Sequence, residues 1–453
     1  MDPQERKLEA ERAWQVRSEL AERGVVALAA TWVDNCGVTR VKAVPLQRLE
    51  YAAAWGIGAS PVFDAFLPND AIVAGRYAGG PVGDLRLHPD LTRATVLAEQ
   101  PGWAWAPAVR YRQDGVVHPQ DQRSIARAGV AALTEAGYAA RMAIEIEWTL
   151  SSTEPDFTPA ASGPAYGYTR VVEQSDYLRD LLIALDRQGV AVDQIHPEYG
   201  SAQYEVSVAS EDPVGAADTF VLVRETIRAL SQRFGLHASF SPKVLADGVG
   251  NGGHVHVSLW RDGVNLFSAG SGQYGMSKEA EAFTAGVLVH LPALLAIGAP
   301  SPASYLRLVP GHWAGPFQVW GLENREAALR LITGSPGNPA AANLEVKVFD
   351  LSANPYLVVA GLLRTGIAGL AAAAELPDPV NADPAALPAD PQARPRLPTT
   401  LHAATDAFEA DDVLAKALGE TLAATIIDLR RAEVERFAGA TPEEIVAAAR
   451  WRY

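Results

Sequence analysis

Ala143-Ile144-Glu145-Ile146-Glu147-Trp148 sets two acids in strict alternation with apolar side chains. Successive side chains of a strand point to opposite faces, so both carboxylates are expected on one face and Ile144, Ile146 and Trp148 on the other. Alone, this is the pattern of any amphipathic strand with a solvated face. The same device returns further along. His196-Pro197-Glu198-Tyr199-Gly200-Ser201-Ala202-Gln203-Tyr204-Glu205 carries two acids around a turn, and Gly250-Asn251-Gly252-Gly253-His254-Val255-His256-Val257-Ser258 puts two imidazoles on one strand face after a glycine-rich loop. Asn343-Leu344-Glu345-Val346-Lys347-Val348 then sets an acid and a base on one face.

Converging carboxylates with few imidazoles favour hard, oxygen-loving divalent ions, magnesium or manganese, over zinc. The lone cysteine, Cys36, excludes both an internal disulfide and a thiolate cluster. Gathering so many acids without cations costs several kcal/mol per desolvated charge. Arg307, Arg325 and Arg330, in two short segments between the histidines and the last acid, offer planar donors for carboxylate or phosphate oxygens.

The bulk numbers agree with a large soluble enzyme. With 453 residues, two or three domains are expected, and 48% hydrophobic against 20% charged residues is a globular balance. A net charge of -15 argues against nucleic-acid binding. The most apolar stretches, around 285–296 and 356–375, are interrupted by His, Pro, Arg or Gly and read as too short to span a bilayer, and no signal peptide is evident, so a cytoplasmic location and no membrane are expected.

Residues 1–24 read as an amphipathic surface helix with Trp14, Val16 and Leu20 on its apolar side. From 25 to 112 short alternating runs and turn residues predict a small β domain, and 118–453 a larger domain mixing helices and strands. One helix is expected to start at Asp212-Pro213, bury Phe220, Val223, Ile227 and Leu230 and stop at Gly235; another to begin at Ser277; a last one at the capping box Thr441-Pro442-Glu443-Glu444. Seven prolines between Pro377 and Pro398 predict an extended surface connector.

The ordered set of segments resembles the glutamine synthetase family over nearly the whole chain, with Asp34-Asn35-Cys36-Gly37-Val38-Thr39-Arg40 and Phe63-Asp64 similar to that family's amino-terminal loops. The resemblance implies an α+β fold: an amino-terminal β-grasp domain, then a catalytic domain whose curved antiparallel sheet forms a half-barrel funnel surrounded by helices. It implies one ion on Glu147, Glu198 and Glu205 and another on Glu145, His254 and Glu345. It implies ATP bound by His256, Ser258, Arg325 and Arg330, and an acid substrate held by Arg307, Gly250 and Lys347. Trp313 and Tyr168, or its neighbour Tyr166, would complete the substrate pocket. Asp34 is the implied proton acceptor from the amine and would serve an adjacent subunit. The implied assembly is a homo-oligomeric ring, commonly two stacked hexamers, with sites between neighbours. The implied reaction activates a γ-carboxylate as an acyl phosphate, with Glu147 and Arg325 in catalytic roles, before an amine attacks.

Departures from the ammonia-using pattern bear on the substrate. Trp313 stands where such enzymes carry a flap glutamate, and an indole cannot accept a proton or pair with ammonium by charge. Lys347 replaces an arginine, Val249 an asparagine, and Asn343 and Ala340 basic residues near the nucleotide; no tyrosine-bearing adenylylation loop is evident. The expected activity is therefore formation of a γ-glutamyl amide from glutamate, or a related acid, and an organic amine. An ordinary glutamine synthetase is the first alternative. A non-catalytic binding protein is the second, and it predicts lost metal ligands where all six are present.

Overall fold

The computed structural model describes residues 3–388, 390 and 392–453. The opening helix runs Pro3–Glu22; the first two residues of the expected 1–24 segment lie outside the described residues. Its inward face is Ala13, Val16 and Leu20, while Trp14 is 57% exposed, contrary to expectation. The spacing 13, 16, 20 makes one helical stripe, and Trp14 lies about 100° round the axis from Ala13.

Six strands follow: β1 (Ala27–Val33), β2 (Thr39–Pro45), β3 (Ile57–Ala59), β4 (Leu85–Pro89), β5 (Thr95–Val96) and β6 (Trp103–Arg112). They form one sheet ordered β2-β1-β6-β4-β3, with β5 beside β6. The central β1 and β6 are parallel and their neighbours antiparallel. The opening helix and Leu49–Trp55 bury its face with Leu28, Ala30, Leu87, Ala104 and Ala106, the β-grasp arrangement expected.

Ten more strands build the larger body: β7 (Ala139–Ile144), β8 (Ile146–Ser151), β9 (Val192–Pro197), β10 (Gln203–Val208), β11 (His237–Ser239), β12 (Val255–Arg261), β13 (Val264–Asn265), β14 (Phe317–Leu322), β15 (Ala327–Ile332) and β16 (Asn343–Val346). They divide into a sheet β11-β8-β10-β9 and a second, β13-β12-β16-β15-β14, with β7 beside β12. The acid-bearing stretch at 143–148 is thus not one strand. It breaks at Glu145, whose N–H donates to the His254 carbonyl, and the chain crosses there from one sheet to the other. The two sheets curl around a common cavity.

Helices back this funnel, and their ends follow the capping signals. Pro213–Arg233 has Asp212 as its cap and buries Phe220, Val223, Ile227 and Leu230; Ser277 caps Lys278–Gly298; Thr441 and Glu444 close the capping box of Pro442–Ala449. Lys278–Gly298 and Pro355–Ala372 are, against expectation, long and apolar enough to cross a membrane. Both are core helices here, with 83% and 67% of their most apolar windows buried in the protein. The proline-rich segment also does more than connect. Pro395 O accepts from Gln318 N–H, Val380 N–H donates to Trp320 O, and Leu397 N–H donates to Pro316 O, so the segment covers the edge of β14.

Asp64 ties the first sheet to the loop that leads into the larger body. Its buried carboxylate takes the Arg110 guanidinium on one oxygen and His118 Nε2, at 2.7 Å, on the other. Removing one partner of such a pair leaves an uncompensated buried charge. Asp64→Ala is therefore expected to lower stability by about 3–5 kcal/mol in urea unfolding. Asp84→Ala, which breaks only exposed contacts, the pair with Arg86 and a hydrogen bond from Gln113 Nε2, should change it by less than about 1 kcal/mol.

Candidate active site

Strand register assembles the site. On the first sheet Glu147 of β8 faces Glu205 of β10, and Glu205 faces His196 of β9, which sets three polar side chains in a row. On the second sheet His256 of β12 faces Glu345 of β16, and Glu345 faces Arg330 of β15. Glu145, at the break between sheets, joins the two rows: its oxygens lie 2.7 Å from His254 Nδ1 and 2.9 Å from His256 Nε2. Glu198, at the end of β9, turns in beside Glu205. All six acids and imidazoles expected as ion ligands line one cavity of about 770 Å³.

The rows differ in electrostatics. Burial, reinforced by Glu205 and Glu198, pushes the Glu147 carboxyl up to about 8, and burial also raises Glu205. Three acids gathered with only His196 and Arg307 to oppose them are short of positive charge, which fits a divalent ion. The second row supplies its own cations. Burial opposes ionisation of Glu345, but the positive charges of Lys347 and His256 overcome it and hold the carboxyl at about 2. Lys347 Nζ lies 2.9 Å from Glu345 Oε1, and Arg330 Nη1 3.0 Å from Oε2.

The two histidines are set apart by their partners. Arg307 Nη2 donates to His254 Nε2 at 3.1 Å while Nδ1 faces Glu145, so the ring is neutral; burial and Lys347 bring it down to about 4. His256 meets acceptors on both nitrogens, Glu145 Oε1 and Asn343 Oδ1. Although burial opposes its charge, Glu145 raises it to about 9.

The ligand groupings come out broader than expected. Ligand atoms of Glu145, His256 and Glu345 converge within 4.8 Å of one another, as do those of His196, Glu198 and Glu205. His254 remains beside the first set, 3.4 Å from Glu345 Oε1, and Glu147 beside the second. The sequence reading assigned no ligand role to His196. Its position two residues before Glu198, at the end of a stretch that alternates like a strand, was the available signal.

Arg307 is 4% exposed, and its Nη1 has no partner among the described residues. A buried donor left open in a cavity wall awaits an acceptor. Glycines make room for it. A Cβ on Gly250 would lie 2.4 Å from the Pro242 carbonyl oxygen and 2.8 Å from Arg307 Cγ. One on Gly252 would lie 2.6 Å from His254 Nε2, 2.7 Å from Glu147 Oε1 and 2.8 Å from Arg307 Nη2. Arg325 lies exposed at the rim of the same cavity. Trp313 lines it too, on a backbone with φ of 53° whose N–H donates to Glu326 Oε1 at 2.7 Å.

Three expected residues, Tyr168, Ser258 and Lys347, are placed otherwise, and Asp34, expected to serve an adjacent subunit, lies outside its own chain's cavity. Asp34 is fully buried away from the cavity: it accepts from the Cys36 and Val38 N–H groups and, at 2.8 Å, from Arg40 Nε. Its turn is held by Asn354 and Arg430, so this carboxylate shapes a turn and is not offered to an amine by its own chain. Tyr168 is 79% exposed and outside the cavity, where Tyr166 stands instead, its hydroxyl 2.5 Å from Glu198 Oε1. Ser258 faces a neighbouring cavity of about 310 Å³ that also touches His256, Asn343 and Ala340. Lys347 lines the main cavity, but its ammonium is committed to Glu345 and is not free for a substrate carboxylate.

This arrangement has known counterparts. Residues 119–447 match the glutamine synthetase catalytic domain. The gamma-glutamylpolyamine synthetase GlnA3 of Streptomyces coelicolor is 52% identical, with 98% of this chain and 97% of that protein aligned. The glutamine synthetase of Methanocaldococcus jannaschii is 30% identical over 80% of this chain and 82% of its own. Among solved structures, a glutamine synthase homolog superposes with a TM-score of 0.85 at 31% identity, over 95% of this chain and 99% of that one. GmaS in complex with ADP gives 0.82 at 28%, over 94% and 97%. Divalent ions and ATP are general to such ligases, and the carboxylate-rich funnel fits both. The chain belongs to the glutamine synthetase family and is an ATP-dependent carboxylate-amine ligase.

Proposed function

We propose that this ligase activates the γ-carboxyl of glutamate with ATP and joins it to a primary amine of an alkyl polyamine, forming a γ-glutamyl amide. The observation that carries the amine is Trp313, an indole at the flap position where an ammonia-using enzyme needs a carboxylate. The high identity to a γ-glutamylpolyamine synthetase supports the same choice.

In this reading Arg307 directs its open Nη1 at a substrate carboxylate, and Gly250 and Gly252 leave the space for it. Arg325, with no ion-pair partner among the described residues, steadies the transferring phosphoryl group from the rim, the kind of electrostatic support that dominates phosphoryl transfer. Magnesium or manganese, held by Glu147, Glu198 and Glu205 with His196 and by Glu145, His254 and Glu345, would supply neutralisation of phosphate charge. His256, protonated between Glu145 and Asn343, adds a positive charge on the nucleotide side, with Ser258 beyond it. Tyr166 holds Glu198 on the amine side. The chain partition that goes with this reading is a helix at 1–24, a β-grasp domain at 25–112 and a catalytic domain at 118–453. A dodecamer of two stacked hexamers in the cytoplasm completes it, and light scattering of the purified protein tests the ring.

Phosphate release from ATP and glutamate is expected to be faster with di- and polyamines than with ammonium. Glu147→Ala should cut it about a hundredfold or more, by analogy with loss of one preorganised charge-stabilising group. Efficient turnover with ammonium alone would instead identify an ordinary glutamine synthetase.

A second measurement tests the raised Glu147 carboxyl. At pH 7, below its value of about 8, the group is mostly protonated, and an incoming cation must displace that proton. Calorimetric titration with magnesium or manganese, in buffers of different ionisation enthalpy, should report release of about one proton. Glu147→Gln should remove that release; unchanged release would count against the assignment.

A further inference from the structure

We propose that Tyr166, Tyr199 and Trp313 form an aromatic bracket that takes the alkyl chain and distal ammonium of a linear diamine or polyamine, an inference that rests on the amide-forming reading above. The three rings come from separate segments: the loop before residue 168, the turn between β9 and β10, and the flap after Arg307. They meet edge to face, with centroids 5.4 Å apart at 84° for Tyr166 and Tyr199, and 5.1 Å apart at 85° for Tyr199 and Trp313. All three line the cavity that holds the acids. They remain 51%, 40% and 46% exposed, an unusual state for large rings already in mutual contact.

Two of these rings are aimed by costly backbone. Tyr166 and Trp313 have φ of 54° and 53°, the left-handed region that side chains with a Cβ seldom adopt. Such conformations persist where surrounding contacts hold them. Trp313 is held by Glu326, which is 7% exposed and accepts its N–H. Tyr166 is held by its hydroxyl on Glu198 and by stacking on His196 at 5.5 Å and 26°.

The chemistry selects the ligand. Ring faces attract ammonium groups and cover methylenes, whereas ammonia is too small to reach from the acids to Trp313. Glu198 marks the inner end of the path, where an amine would approach the activated carboxyl, and Trp313 the outer end. A monoamine of one or two carbons would touch at most part of this wall. A chain of several methylenes ending in a second ammonium would touch all of it.

The test is steady-state phosphate release at saturating ATP and glutamate, across methylamine, butylamine, 1,4-diaminobutane and spermidine. In the wild type, KM is expected to fall about tenfold or more from methylamine to the diamine, with butylamine between them. Tyr199→Ala and Trp313→Ala should erase that trend by raising KM for the long amines, with KM for glutamate and ATP unchanged. Trp313→Phe, which keeps a ring, should restore most of it. If wild type uses the long amines and both alanine variants keep the trend, the bracket is overturned while the ligase reading stands. If wild type uses ammonium alone, the polyamine reading falls and takes the bracket with it.

Discussion

Glu147 and Glu205 sit directly opposite one another on neighbouring antiparallel strands. Like charges in that position oppose the sheet that carries them. Both are almost fully buried, and Glu198 closes in beside them. Little water reaches this group, and among the described residues it is answered by Arg307 beside Glu147, the His196 imidazole facing Glu205, the Gln203 amide 2.9 Å from Glu147 and the Tyr166 hydroxyl on Glu198. The sheet is held by apolar neighbours on its other face, Ile146, Trp148, Tyr204 and Val206, all of them in the main core. The fold thus tolerates a local electrostatic cost that a bound cation would remove.

The facing sheet resolves the same problem internally. Glu345 lies between Lys347 and Arg330, and Glu145 between two imidazoles. One wall of the funnel is short of positive charge and the other is nearly neutral before anything binds. The break at Glu145 brings the two walls together, because only a chain that leaves one sheet and enters the next can contribute to both. Lys347 is central to the difference. A point ammonium can settle on one carboxylate oxygen, where a guanidinium fork would have reached further into the cavity.

The flap turns the general ligase toward a particular nucleophile. Its backbone N–H at Trp313 is secured by Glu326, whose second oxygen is buried with no hydrogen-bond partner among the described residues. The Glu326 carboxylate is therefore spent on holding the flap backbone, and the side chain the flap presents to the cavity is an indole. What enters from solvent meets aromatic carbon first and acids second, an order suited to a molecule with both methylenes and charges.

Much of this was legible in residue order. Period-two alternation marked Glu145, Glu147, Glu205, His254, His256 and Glu345 as polar faces of strands, and cap chemistry located the helices that begin after Asp212, Ser277 and Thr441, because both signals are local. The resemblance to one family then supplied the architecture and the reaction class. Other matters depended on partners far along the chain. Cross-strand register made His196 a neighbour of Glu205, and a left-handed residue turned Tyr166, rather than Tyr168, into the cavity. Asn354 and Arg430, more than 300 residues away, buried the Asp34 turn. The sequence by itself determined which side chains could carry charge on a strand face; only tertiary packing decided which of them meet, which are already neutralised and which remain open. The physical reason is that alternation acts between adjacent residues, while burial and pairing act between surfaces.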